Sequence, residues 1–557
     1  MKRSRYFGSQ SRRCGSLDFP FLRQTLSGRR SAPRGRMMAA LYCLLSFGLL
    51  SSLPLAAMAQ RPHACAGDTS EEESVTSQLA AAIHTLAKNG SIPGPFMWGT
   101  ATAAYQIEGA WNTSGKVPSI WDVFTQTSRD RGLNKIKNDD TGDIADDFYN
   151  KYPEDIQMMR GLNMTHFRFS ISWTRVMNGT TRNEPGIKFY RQLTNSLVLA
   201  GIKPVVTLYH WDLPATLDWR EEEVVDAFVA FADVMFAELP MVKHWITFNE
   251  PWVFCKHGYQ AGAHAPGVRS RYGHLQCGHN VLLAHAKTYA LWQDKYATKR
   301  PQAKVGITLN AVWRLPLDAK NPEDVAMVGR EINSQIGWFA DPLFDTGDYP
   351  ESLKEQYGSN MPVLSAEDQA ALKGSADFLG LNHYTTNYAD SVSNRNTFYR
   401  NSVPIGWQSA SSWLYAVPWG FRRLLGYIQK RWNPAYILVT ENGMSDEDSA
   451  NLESLLNDQL RLSFYHDYLS EMAKAIYLDG VRVGGYFAWT LMDNFEWSEG
   501  FAKRFGITHV DFKDPDRKRT LKESAKFLGA LITSVRNEVK YCLTDEATDD
   551  QGAAAKA

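Results

Sequence analysis

The chain has 557 residues, 44% hydrophobic and 22% charged, so it can bury a large core. Sixty Lys and Arg balance 60 Asp and Glu, a formal net charge of +0, and that balance argues against a nucleic-acid partner, which calls for a basic face. The six cysteines (Cys14, Cys43, Cys65, Cys255, Cys277 and Cys542) show no CxxC pair and no zinc spacing.

Residues 1–36 are rich in Arg and Ser and nearly free of acids. An apolar run follows from Met38 and ends in Ala57-Met58-Ala59, a small-x-small site after an apolar stretch. Residues 1–59 therefore read as a basic leader plus a secretory signal peptide, although an Arg/Ser-rich start also suits an organelle transit peptide. The expected address is the secretory pathway, ending outside the cell or in a lysosome or vacuole. No second long apolar run follows, so no membrane anchor is expected after cleavage. Sequons at Asn89, Asn112, Asn163 and Asn178 agree with that address, each being weak alone. Residues 60–92 are polar, carry the run Glu71-Glu72-Glu73, and read as a linker with a short helix. The polar stretch 543–557 reads as a disordered tail.

Between them, 93–542 forms one domain. Short apolar runs predict strands at 96–104, 166–172, 203–209, 243–249, 304–310, 376–382, 435–440 and 482–489. Amphipathic stretches such as 222–238 separate them. Eight strands alternating with helices predict an α/β fold, a single (β/α)8 TIM barrel with elaborated βα loops. An open doubly wound sheet is the alternative, weakened because no GxGxxG follows a strand.

A barrel places its active site at the C-terminal strand ends. Strand 3 runs into His210 and Trp211, strand 4 into Asn249-Glu250, strand 7 into Glu441, and strand 8 through Trp489 to Glu496-Trp497. Two glutamates across a barrel mouth have the makings of a glycosidase, which needs two carboxyl groups flanking the scissile bond. Either glutamate alone could equally close a salt bridge. The 12% aromatic content serves a core or a sugar platform alike.

Residues 247–251 (TFNEP) and 439–443 (VTENG), with FMWGTATAAYQIEGA (96–110), FRFSISW (167–173), TLYHWDLP (207–214), DFLGLNHYT (377–385) and GYFAWTLMDNFEW (485–497), resemble glycoside hydrolase family 1. The resemblance implies a retaining β-glycosidase of the β-glucosidase type, acting on a small-molecule or oligosaccharide β-glycoside, with no cofactor and no metal. It implies Glu441 as nucleophile, Glu250 as acid/base, Arg168 and Tyr384 beside the nucleophile, and Asn249 at the sugar 2-hydroxyl. Gln106, His210, Trp211, Asn310, Trp489, Glu496 and Trp497 match substrate-binding positions. Glucose is the expected glycone, with galactose or fucose as alternatives. A transglycosidase on the same site and a non-catalytic binding protein are the other readings. The segment Ala215–Trp219 lacks the glycines that the family commonly carries there, which leaves the aglycone open. Cys255 and Cys277 either pair or remain thiols.

Overall fold

The computed structural model describes residues 74–449 and 451–554, with side chains through 542. The leader 1–59, the first part of 60–92 and the last residues of the tail lie outside the described residues. Eight strands close a parallel barrel: β1 (Met97–Ala101), β2 (His166–Ser170), β3 (Lys203–Tyr209), β4 (His244–Asn249), β5 (Lys304–Asn310), β6 (Leu379–Asn382), β7 (Ile437–Asn442) and β8 (Val483–Trp489). Each strand lies beside its neighbours in the chain, and β8 closes on β1 with Trp489 opposite Ala101. The open doubly wound sheet is thereby excluded.

All eight strands fall at the predicted places. β1 stops at Ala101 because Ala104–Ile107 turns into a helix. β7 runs two residues past its predicted end, which takes Glu441 into the strand. The runs are apolar because both barrel faces are covered; Val205, Val206, Trp245, Ile307, Leu381 and Val439 are all buried. Tight contact between strands also needs Gly99, where a Cβ would lie 2.4 Å from the His166 carbonyl oxygen.

Helix Val75–Lys88 opens on Ser74, whose hydroxyl accepts from the Ser77 N–H. It lays Leu79, Ala82, Ile83 and Leu86 against helices Gln459–Tyr477 and Glu523–Ala554. The segment expected to be linker and short helix thus contributes a docked helix to the barrel's outer layer. At the other end, helix Glu523–Ala554 runs through residues 543–554.

The βα loops are elaborated as expected. After β6, Thr386–Asp390 pairs with both Arg395–Thr397 and Trp313–Pro316 in a small sheet. After β3, the segment Ala215–Trp219 sends Trp219 into the core against Tyr209 and Phe248. After β4, Cys255 and Cys277 are joined in a disulfide that ties helix Pro251–Tyr259 to helix Gly273–Lys295. All four sequon asparagines are exposed. Asn163 also donates from Nδ2 to Thr533 Oγ1 at 2.8 Å. Among the described residues no helix is long and apolar enough to cross a membrane.

Candidate active site

The C-terminal ends of β2, β4, β6 and β7 bring the two predicted glutamates into one buried hydrogen-bond network. Arg168, on β2 and wholly buried, points its guanidinium across the barrel mouth. It donates from Nη1 to Glu441 Oε1 at 2.6 Å and to the Thr440 carbonyl at 3.2 Å. Nη2 donates to Asn249 Oδ1 at 2.7 Å, and Nε to Thr207 Oγ1 at 3.3 Å. Tyr384 donates its hydroxyl to the other Glu441 oxygen, Oε2, at 2.8 Å. Burial pushes the Glu441 carboxyl up, and Arg168, then the hydrogen bonds of Arg168 and Tyr384, pull it back toward ionisation.

Glu250 has a different environment. Its backbone sits in the left-handed region (φ 51°) as the residue that opens helix Pro251–Tyr259. Its N–H donates to the Thr308 carbonyl at 2.9 Å, which anchors this strained turn to β5. Oε1 accepts from Asn382 Nδ2 at 2.7 Å. Oε2 receives no hydrogen bond among the described residues. Burial, and then repulsion from Glu441, push this carboxyl up to about 8; Asn382 and Arg168 offset only part of the rise. Two buried carboxyls therefore differ in character, one clasped by a guanidinium and one held protonated at neutral pH. Such a pair separates the roles of base or nucleophile and acid.

Asn249 joins the glutamates to the sugar-binding set. Its Oδ1 accepts from Arg168 and from Asn382 Nδ2 (3.1 Å), so its own Nδ2 faces His210 Nε2 at 2.9 Å as the donor. His210 is held neutral, because burial and the nearby Arg168 both push its pKa well below the usual imidazole range. With Nε2 accepting, the ring proton resides on Nδ1, a buried atom with no protein partner. The His210 ring lies near-parallel to both Trp489 and Trp497, 5.9 Å from each centroid. Trp211, with φ 82°, donates Nε1 to the Asn249 carbonyl at 2.8 Å and packs 4.3 Å from Trp497. Gln106 Nε2 reaches the Phe495 carbonyl at 2.9 Å and Glu496 Oε2 at 3.4 Å. Glu496 is pushed up to about 8, first by burial and then by Glu441 and Glu250.

Asn310 stands apart. It ends β5 opposite Asn382, but its side chain makes no hydrogen bond among the described residues. Conversely, Asn382, Thr440 and Thr308 were not singled out from the sequence. Asn382 touches both Asn249 and Glu250, and Thr440 Oγ1 donates to its Oδ1 at 2.7 Å. The available signal was an Asn or Thr near the end of an otherwise apolar buried strand, where a polar group must find a partner. No group of three or more His, Cys, Asp or Glu among the described residues could hold a metal.

The sequence model of Glycosyl hydrolase family 1 matches residues 88–537. Beta-glucosidase 42 of Arabidopsis thaliana is 42% identical over 78% of this chain and 93% of its own. The crystal structure of a rice β-glucosidase variant in a covalent complex with Glc superposes with a TM-score of 0.75 at 37% identity, over 80% of this chain and 99% of that one. A β-glucosidase from the fungus Humicola insolens, in complex with glucose, gives 0.75 at 40% identity over 79% and 98%. The match spans the barrel and both glutamate motifs, and the chain is a glycosidase that belongs to glycosyl hydrolase family 1.

Proposed function

We propose that the protein is a retaining, exo-acting β-glucosidase that removes terminal non-reducing β-D-glucosyl residues by double displacement. The observation that carries this reading is the asymmetry of the two carboxyls. Glu441, held by Arg168 and Tyr384, attacks the anomeric carbon as a carboxylate. Glu250 gives its proton to the departing glycosidic oxygen, and a glycosyl ester on Glu441 results. That ester cancels the Glu441 charge and the repulsion on Glu250. Glu250, now ionised, takes a proton from water; the water oxygen bonds to the anomeric carbon and Glu441 leaves.

Asn249 holds the 2-hydroxyl, and His210, Gln106, Glu496, Trp489 and Trp497 take the other faces of a terminal sugar. Glu496 lies in this set as a partly buried carboxyl. Its raised pKa makes it a neutral donor and acceptor in the free enzyme at neutral pH. Plain glycosides are favoured over phosphorylated ones, because the charged groups that act most on Glu496 are other carboxyls. The direct test is hydrolysis of nitrophenyl β-glucoside beside the galactoside, fucoside and mannoside. Turnover of the glucoside with release of β-glucose supports the reading; inertness toward all four removes it.

The same groups predict the pH dependence. The reactive form needs Glu441 ionised and Glu250 protonated. As pH rises through about 8, Glu250 loses its proton and kcat/KM is expected to fall. As pH drops through the Glu441 pKa, raised by burial, the nucleophile is protonated and kcat/KM falls again. A profile of kcat/KM on nitrophenyl glucoside with no alkaline limb would count against Glu250 as the acid.

We also propose passage through the secretory pathway, ending outside the cell or in a lysosome or vacuole. The leader composition, four exposed sequons and the Cys255–Cys277 disulfide support it. Endoglycosidase treatment of protein from its native cells is expected to increase its electrophoretic mobility. An unchanged band would argue for another compartment.

A further inference from the structure

Resting on the reading of Glu250 as acid/base, we infer that Thr308 and Thr440 are positioning residues: their hydroxyls form a one-way chain that fixes which end of the Asn382 amide faces Glu250, so that Oε2, not Oε1, carries and delivers the proton. Thr440 has a single O–H, and it donates to Asn382 Oδ1 at 2.7 Å. Its oxygen can then only accept, so Thr308 donates to it, at 3.2 Å. With Oδ1 held from that side, Asn382 Nδ2 is aimed at Glu250 Oε1 (2.7 Å) and Asn249 Oδ1 (3.1 Å).

The reversed amide would set its oxygen against two acceptor oxygens, so both sides of Asn382 demand the same orientation. Thr308, Thr440 and Asn382 are at most 1% exposed, and water has no ready access as a substitute partner. The backbone makes room for the chain. A Cβ on Gly380, two residues before Asn382, would lie 2.4 Å from Thr308 Oγ1. The chain crosses β5, β7, β6 and β4 in turn, so four strands register Glu250 against the rest of the site.

The sign of the effect follows. A donor on Oε1 favours the ionised carboxylate, as the effect of Asn382 on Glu250 shows. Losing its alignment favours the protonated acid. The acid step is then preserved to higher pH, while the base step, which needs ionised Glu250, slows.

The test compares wild type, Thr440→Val, Thr440→Ser, Thr308→Val and Glu250→Gln on two substrates: an alkyl β-glucoside, whose departing oxygen must be protonated, for the alkaline limb of kcat/KM, and dinitrophenyl β-glucoside for kcat. The good leaving group of the latter lets deglycosylation limit kcat. Thr440→Val is expected to move the alkaline limb of kcat/KM upward by about half to one unit and to lower kcat at pH 7 about tenfold. Thr440→Ser keeps the hydroxyl and should stay within about twofold of wild type. Thr308→Val should shift the limb in the same direction by less, and carries the test alone if Thr440→Val fails to fold. An unmoved limb in the folded valine variants overturns the inference and leaves the threonines as packing. If Glu250→Gln also leaves the limb in place, the acid/base reading falls and the inference falls with it. A limb that Glu250→Gln abolishes and the valines leave unmoved sinks the inference alone.

Discussion

Glu441→Ala is expected to lose about 10⁵-fold or more of kcat, the scale on which a missing nucleophile is felt in other covalent enzymes. The loss should be of chemistry and not of fold. The alanine variant does leave Arg168 buried beside a small void without its carboxylate, a change that costs about 3–5 kcal/mol when a buried pair is broken. Circular dichroism and thermal melting must therefore accompany the kinetics, with Glu441→Gln as a variant that keeps the volume. The same geometry predicts a rescue. A small anion fits where the carboxylate was, because the Arg168 Nη1 that gave a 2.6 Å hydrogen bond to Oε1 still points there. Azide should restore turnover of an activated glucoside and give the α-glucosyl azide, since it attacks from the face that Glu441 occupied. A folded variant that azide does not rescue, or a β-configured product, would remove Glu441 from the nucleophile's place.

Much of this site was legible as sequence because strand ends carry it. Glu250 and Glu441 each follow an apolar run by one residue, in positions where a buried carboxyl is costly unless it has a task. Arg168, a cation inside the strand HFRFS, was legible through the family resemblance. The barrel followed from eight runs of the right length and spacing. What stayed hidden was what depends on contacts between distant strands. Nothing in LGLN or ITLN says that Asn382 and Thr308, 74 residues apart by number, meet through Thr440. Neither could composition settle the helix Val75–Lys88, whose stability comes from burying Leu79, Ile83 and Leu86 against partners far along the chain. The pairing of Cys255 with Cys277 was undecidable until helices Pro251–Tyr259 and Gly273–Lys295 were seen to bring their Cα atoms to 5.6 Å.

Glu250→Ala is expected to act through the leaving group. For an alkyl or sugar aglycone, whose oxygen must be protonated as it departs, loss of the acid should lower kcat/KM about 10²–10⁴-fold, or about 3–5 kcal/mol of barrier. For dinitrophenolate, which leaves as the anion, the first step should be nearly spared while the second, lacking its base, becomes limiting. The glycosyl-enzyme then accumulates on Glu441, and a burst of dinitrophenol followed by slow turnover is the signature. Azide needs no base. It should relieve the slow step and yield the β-glucosyl azide, because it enters from the face that Glu250 vacated, opposite to the product from Glu441→Ala. Removing Glu250 also removes one of the three carboxyls that push Glu496 up, so Glu496 should ionise at lower pH in this variant. The three carboxyls are thus linked. A variant that lost activity equally on all leaving groups, with no burst, would show that Glu250 serves binding instead of proton transfer.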